Sequence, residues 1–125
     1  MIDKKRKILI IEDDETVCAM YRIKLEQEGF LAIIADNGAR GLELAIKEKP
    51  DLIMLDIIMP QLDGFSVLRE LRLNKKTKDI PIIILTNLGT DEDKNKGKGL
   101  GATDYWVKAN FTPAEISLKI KEYFK

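Results

Sequence analysis

The chain has 125 residues, 45% of them hydrophobic, and its 21 Lys and Arg balance 21 Asp and Glu; that is enough for one hydrophobic core, with no net field to gather nucleic acid or an anionic membrane. One cysteine and no histidine exclude an internal disulfide, imidazole metal ligands and histidine-based acid–base chemistry, so any histidine must come from a partner. No apolar run approaches the roughly 20 residues that span a bilayer, and the start MIDKKRKILIIEDD turns from basic to acidic within one short apolar block, unlike a signal peptide. A cytoplasmic protein with no membrane insertion and no direct nucleic-acid binding is the expectation.

Short apolar blocks mark five strands at residues 8–11, 30–35, 52–55, 80–85 and 105–107. Several are continuously apolar, the pattern of parallel strands covered on both faces. Amphipathic segments fill the gaps. Val17, Met20, Tyr21 and Leu25 follow helical spacing after the first strand, with Cys18 among them as a small semi-buried hydrophobe. Phe65, Leu68 and Leu71 do so after the third strand, and Ile116, Ile120, Tyr123 and Phe124 after the fifth. Gly29 and Pro50 punctuate the ends of the first two helices. The last helix announces its start in TPAE, where Thr112 is the N-cap, Pro113 the first helical residue and Glu115 the closing member of a capping box. The fourth helix, DEDKNKGKGLGA, is the weak one, because Gly97 and Gly99 each cost about 1 kcal/mol relative to alanine.

Strand and helix therefore alternate five times, which implies an α/β sandwich with right-handed crossovers and all strand C-termini on one edge. Ligands of open parallel sheets bind beyond that edge. There the sequence places Glu12, Asp13 and Asp14 after the first strand, Asp56 after the third, Thr86 after the fourth and Lys108 after the fifth. Each has a plain structural reading: the acidic run as a helix cap, Asp56 as a turn former, Thr86 as a strand end, Lys108 as a solvated cation. Their convergence points further. Clustered carboxylates repel one another unless a divalent cation sits among them, and hard oxygen ligands suit Mg²⁺ or Mn²⁺. One carboxylate can then serve as a nucleophile toward phosphorus while a hydroxyl and an ammonium hold the remaining phosphoryl oxygens.

The segments ILIIEDDE, DLIMLDIIMPQLDGF, IIILT and GATDYWVKANFTPAEI resemble the receiver domain of bacterial two-component response regulators, in order and spacing, from about Lys7 to the C-terminus. The resemblance implies a flavodoxin-like (βα)5 fold, doubly wound, with strand order 2-1-3-4-5, in a single receiver domain over residues 1–125 with no output domain. It implies phosphorylation of Asp56 by a histidine kinase, a histidine phosphotransfer protein or a small phosphodonor. Asp13 becomes the chief metal ligand, Glu12 a secondary or water-mediated one, and Asp56 with the backbone carbonyl of Ile58 completes the set, leaving Asp14 to cap the helix. Thr86 is then the switch hydroxyl, Lys108 the phosphate-binding lysine and Tyr105 the aromatic that changes rotamer with Thr86. The surface of the fourth helix, fifth strand and fifth helix would meet a downstream protein or a second copy.

Three features depart from the family's pattern. Ala109 follows Lys108 where proline is usual, and a cis bond before a non-proline residue costs roughly 3 kcal/mol, so this loop is expected to be trans or strained. Asn87 is large beside the switch threonine, and Ile58 brings an apolar side chain to the site; both hinder an attacking water and predict slow autodephosphorylation. The glycines of the fourth helix predict a soft element that reorganises at little free-energy cost. Rival readings fit less well. A phosphatase with an aspartate nucleophile wants a second acid where Ile58 stands, and an FMN carrier wants a Ser/Thr/Gly-rich loop where EDDE stands. A binding module that has lost phosphorylation would not need the acids, Asp56, Thr86 and Lys108 together.

Overall fold

The structure, a computed structural model, describes residues 5–125; residues 1–4 of the start MIDKKRKILIIEDD lie outside the described residues. Five parallel strands, β1 (Lys7–Ile11), β2 (Leu31–Ala35), β3 (Leu52–Leu55), β4 (Ile82–Thr86) and β5 (Asp104–Val107), form one sheet in the order β2-β1-β3-β4-β5. They alternate with α1 (Glu15–Gln27), α2 (Gly38–Glu48), α3 (Gly64–Leu73), α4 (Asp91–Gly99) and α5 (Pro113–Tyr123). This is the doubly wound, flavodoxin-like arrangement expected. No helix among the described residues is long and apolar enough to cross a membrane.

Period-2 alternation along the strands divides the core in two. Ile8, Ile10, Met54, Ile83, Leu85 and Trp106 face α1 and α5, where Cys18, Tyr21, Leu25, Ile116 and Ile120 meet them. Leu9, Ile11, Ile53, Leu55, Ile84 and Tyr105 face the other way, against Leu44 of α2 and Phe65, Leu68 and Leu71 of α3. The central strands are thus apolar over Ile8–Ile11, Leu52–Leu55 and Ile82–Leu85 because both of their faces are covered.

All five helices begin with a side-chain cap: Asp14, Asn37, Asp63, Thr90 and Thr112 accept from the backbone N–H groups of Val17, Arg40, Ser66, Asp93 and Glu115. The capping box of Thr112 and Glu115 is complete, with Pro113 in the first turn. Gly29 takes φ +91° after α1, and Lys49 takes φ 48° just before Pro50.

Several expectations need correction. Met20 and Tyr123 are 44% and 40% exposed. The buried stripe of α1 runs through Cys18, Tyr21 and Leu25, and Met20, two residues from Cys18, points about 200° round the helix from it. At the end of α5, Phe124 packs on Phe30 at 6.0 Å between ring centroids and Tyr123 stays outside. The fourth strand starts at Ile82, after Pro81, and includes Thr86 as its last residue. No peptide bond among the described residues is cis, so the Lys108–Ala109 bond is trans, in keeping with the expectation for a non-proline residue there.

Gly97 also reads differently in three dimensions. It is the buried residue of α4, and a β-carbon there would lie 2.7 Å from Ile84 Cδ1 and 3.0 Å from Tyr105 Cδ2. Its lack of a side chain is what lets α4 approach the sheet. Arg72 of α3 secures the same region from below: its Nε donates to Gly101 O at 2.8 Å, and its Nη1 to Lys78 O at 2.9 Å and Ile80 O at 2.7 Å.

Candidate functional site

The sheet's C-terminal edge carries the site. The backbone N–H of Glu12 donates to Ala35 O at 3.0 Å and that of Asp56 to Ile11 O at 3.0 Å, so both acids are held one residue past their strands. Both are buried, at 3% and 6% exposure. Gly64, the first residue of α3, seals the far side of the Asp56 turn. Its N–H donates to Ile57 O at 2.9 Å, and a β-carbon there would overlap the Asp56 carbonyl oxygen. Ile58 N–H donates to Asp56 Oδ1 at 3.3 Å, while the Ile58 side chain is 56% exposed at the rim.

Carboxylate oxygens of Glu12, Asp13 and Asp56 lie within 4.8 Å of one another. Lys108 reaches into the same cluster. Its Nζ donates to Glu12 Oε1 and, at 3.1 Å, to Asp56 Oδ2, with its side chain only 16% exposed. Sequence reasoning took Lys108 for the edge but could not show that it spans 96 positions to Glu12. Asp14 leaves the cluster to cap α1, as expected, accepting from Val17 N at 3.1 Å.

Burial sets the electrostatics. It pushes the Glu12 carboxyl up to about 7, with the Lys108 hydrogen bond pulling down and the Asp56 charge adding to the rise. Burial opposes the charge on Lys108 as well, but Glu12 and Asp56 outweigh it and raise the lysine's pKa. Burial, with Glu12 and Asp14 beside it, raises the Cys18 thiol to about 11; Cys18 is therefore a neutral donor, bonded to Glu12 O at 3.3 Å. Three carboxyl groups against one ammonium leave a site short of positive charge. The donor set, all hard oxygens, fits a divalent cation of the Mg²⁺ or Mn²⁺ type.

Thr86 is fully buried and Tyr105 is 7% exposed. Neither bonds to the acids. They meet instead at Leu88 in the β4–α4 loop, where the Thr86 hydroxyl accepts from Leu88 N–H at 3.5 Å and the Tyr105 hydroxyl donates to Leu88 O. The role of the Leu88 backbone had no signal in the sequence, since an apolar loop residue advertises no hydrogen bond. Gly64 was signalled by the Asp-Gly pair in QLDGF, a capping residue followed by glycine.

Residues 8–121 match the family described as response regulator receiver domain. The DNA-binding dual master transcriptional regulator RpaA of Synechocystis is 44% identical over 102 residues, 82% of this chain and 42% of that protein. Among solved structures, the chemotaxis protein CheY4 of Vibrio cholerae superposes with a TM-score of 0.88 at 29% identity, covering 95% of this chain and 98% of that one. The BeF3-activated N-terminal receiver domain of Klebsiella pneumoniae RstA gives 0.86 at 31% identity, covering 96% and 99%. The chain spans about half the length of the curated relatives it matches. With the family match over nearly all of the described fold and the acidic pocket in place, the chain belongs to the response regulator receiver domains.

Proposed function

We propose that this receiver is a phosphorylation-activated switch with Asp56 as its acceptor. A carboxylate oxygen of Asp56 attacks phosphorus in the phosphohistidine of a histidine kinase or histidine phosphotransfer protein, the P–N bond breaks, and the imidazole leaves with the electron pair. Small acyl phosphates serve as alternative donors. Glu12, Asp13, Asp56 and the Ile58 carbonyl would hold Mg²⁺ or Mn²⁺, which when bound offsets the charge of the phosphoryl oxygens. Lys108 keeps one hand on Asp56 and takes a phosphoryl oxygen with its ammonium. The observation that carries the reading is the junction of Glu12, Asp56 and Lys108, with Asp13 beside them.

Output follows from Thr86 and Tyr105. A phosphoryl group on Asp56 draws the Thr86 hydroxyl away from Leu88, the loop shifts, and Tyr105 follows; the α4–β5–α5 surface then changes its affinity for a downstream protein or a second copy. Working in the cytoplasm would give the site both magnesium and a kinase. Full-length relatives are transcriptional regulators by name; here the proposed output is protein contact, with no direct nucleic-acid binding by this domain.

Intact mass after incubation with acetyl phosphate tests the reading, with and without Mg²⁺, on the wild type and Asp56→Asn. The expected result is a Mg²⁺-dependent gain of one phosphoryl group that Asp56→Asn abolishes. A gain that survives in Asp56→Asn, or none from either acetyl phosphate or a phosphohistidine donor, overturns it.

A further inference from the structure

Under the carboxyl groups lies a cavity of about 10 Å³ whose polar walls are Glu12, Asp56, Lys108 and Tyr21, with aliphatic side chains making up the rest. That volume admits about one water molecule. Three of the four polar residues belong to the phosphoryl-transfer reading. Tyr21 does not.

Tyr21 sits on the buried stripe of α1 and is 6% exposed. For packing alone, a leucine or phenylalanine would satisfy that stripe; the hydroxyl is extra. It has no hydrogen bond to any described residue, yet no buried side-chain polar atom among them lacks a partner. The hydroxyl oxygen is therefore accessible to water, and Tyr21 is one of the residues lining the cavity. Lys108 supplies the matching need. An ammonium has three N–H donors, and Glu12 and Asp56 take two of them. Burial raises the Tyr21 phenol, Lys108 opposes the rise, and Glu12 and Asp56 add to it, so all three charges act on it and it stays protonated at neutral pH. A neutral phenol both accepts and donates.

We propose that Tyr21 is a positioning residue for Lys108: its hydroxyl takes the third Lys108 N–H through the one water the cavity admits. In doing so it sets where the ammonium stands when a phosphoryl group reaches Asp56, a consequence that rests on the proposed function.

The test compares the full chain as wild type, Tyr21→Phe, Lys108→Ala and the double variant. Tyr21→Phe keeps the ring and the core. The first readout, the Lys108 Cε–H resonance in carbon-13 NMR spectra, is independent of phosphorylation and is expected to shift in Tyr21→Phe. The second is the rate of Asp56 phosphorylation by acetyl phosphate, expected to fall about fivefold in Tyr21→Phe, the size of one hydrogen bond. That fall should vanish in the Lys108→Ala background. An unmoved resonance, an unchanged rate, or an equal fall without Lys108 overturns the assignment. If the wild type gains no phosphoryl group, the proposed function fails, and the Lys108 resonance alone decides for or against the Tyr21 contact.

Discussion

Gly97 of α4 lies against the ring of Tyr105, so close that a β-carbon at position 97 would stand 3.0 Å from Cδ2. Two residues on, a β-carbon at Gly99 would meet nothing within 4 Å. Gly97 lies buried inside the helix, whereas Gly99 ends it in open space. Gly99→Ala should stabilise the protein by roughly 0.5–1 kcal/mol. Gly97→Ala, which also crowds Ile84, should be less stable than Gly99→Ala by about 1–3 kcal/mol. Urea denaturation of the pair checks both signs.

Arg72 ties α3 to the turn after α4 and to the segment leading into β4 through carbonyls of Gly101, Lys78 and Ile80. A planar guanidinium reaches all three at once, and a lysine ammonium lacks that fork. Arg72→Ala should lose about 2 kcal/mol of stability, and Arg72→Lys should recover less than half of it. Equal stability of Arg72→Lys and the wild type would refute the clamp.

Glu12 gives the site a pH dependence. Its carboxyl, raised from 4.5 to about 7 chiefly by burial, holds a proton across much of the mildly acidic range, and a metal ion must displace that proton. Mg²⁺ affinity should therefore climb with pH, by up to ~tenfold per unit below about 7, and level off above. The metal-free protein shows the converse. Because the folded pKa lies above the unfolded one, the contribution of Glu12 to stability is full below about 4.5 and is lost as pH rises through about 7. Calorimetric Mg²⁺ titrations and thermal melts on the wild type and Glu12→Gln measure both slopes, and both should flatten in the variant.

On the proposed function, Ile58, 56% exposed beside the Asp56 carboxylate, and Asn87, exposed next to Thr86, would hinder a water attacking an aspartyl-phosphate. Loss of the phosphoryl group should be slow in the wild type and several-fold faster in Ile58→Ser or Asn87→Gly. Following the phosphorylated mass over time after donor removal measures it; a wild-type half-life of seconds would contradict the prediction.

Asp56 was legible in the sequence because a lone carboxylate ending an apolar strand stands out chemically, and Asp14 and Thr112 because capping is local. The strand pattern was legible because burial on both faces leaves the interior of the central strands apolar. Contacts between distant positions were not. Lys108 and Glu12 are 96 positions apart, and no periodicity connects them. Helical spacing marked Tyr21 as core from its ring alone and was silent on its hydroxyl. It placed Met20 with the core because apolar character outweighed phase. Gly97 was read from propensity, which counts the local cost of a glycine and cannot see Ile84 and Tyr105 arriving from β4 and β5.

Gly97 is the one buried residue among the nine of helix α4, so close backbone approach seats the helix, with the Lys96 ammonium laid over the core ring of Phe65 at 4.5 Å. Asp91, Glu92, Asn95 and Lys98 of this helix are exposed. On the output surface proposed above, those exposed positions are accordingly a label that selection or a designer can rewrite: new charges or new apolar residues there would change the partners recognised, while the core beneath would keep its stability and the phosphoryl chemistry its geometry.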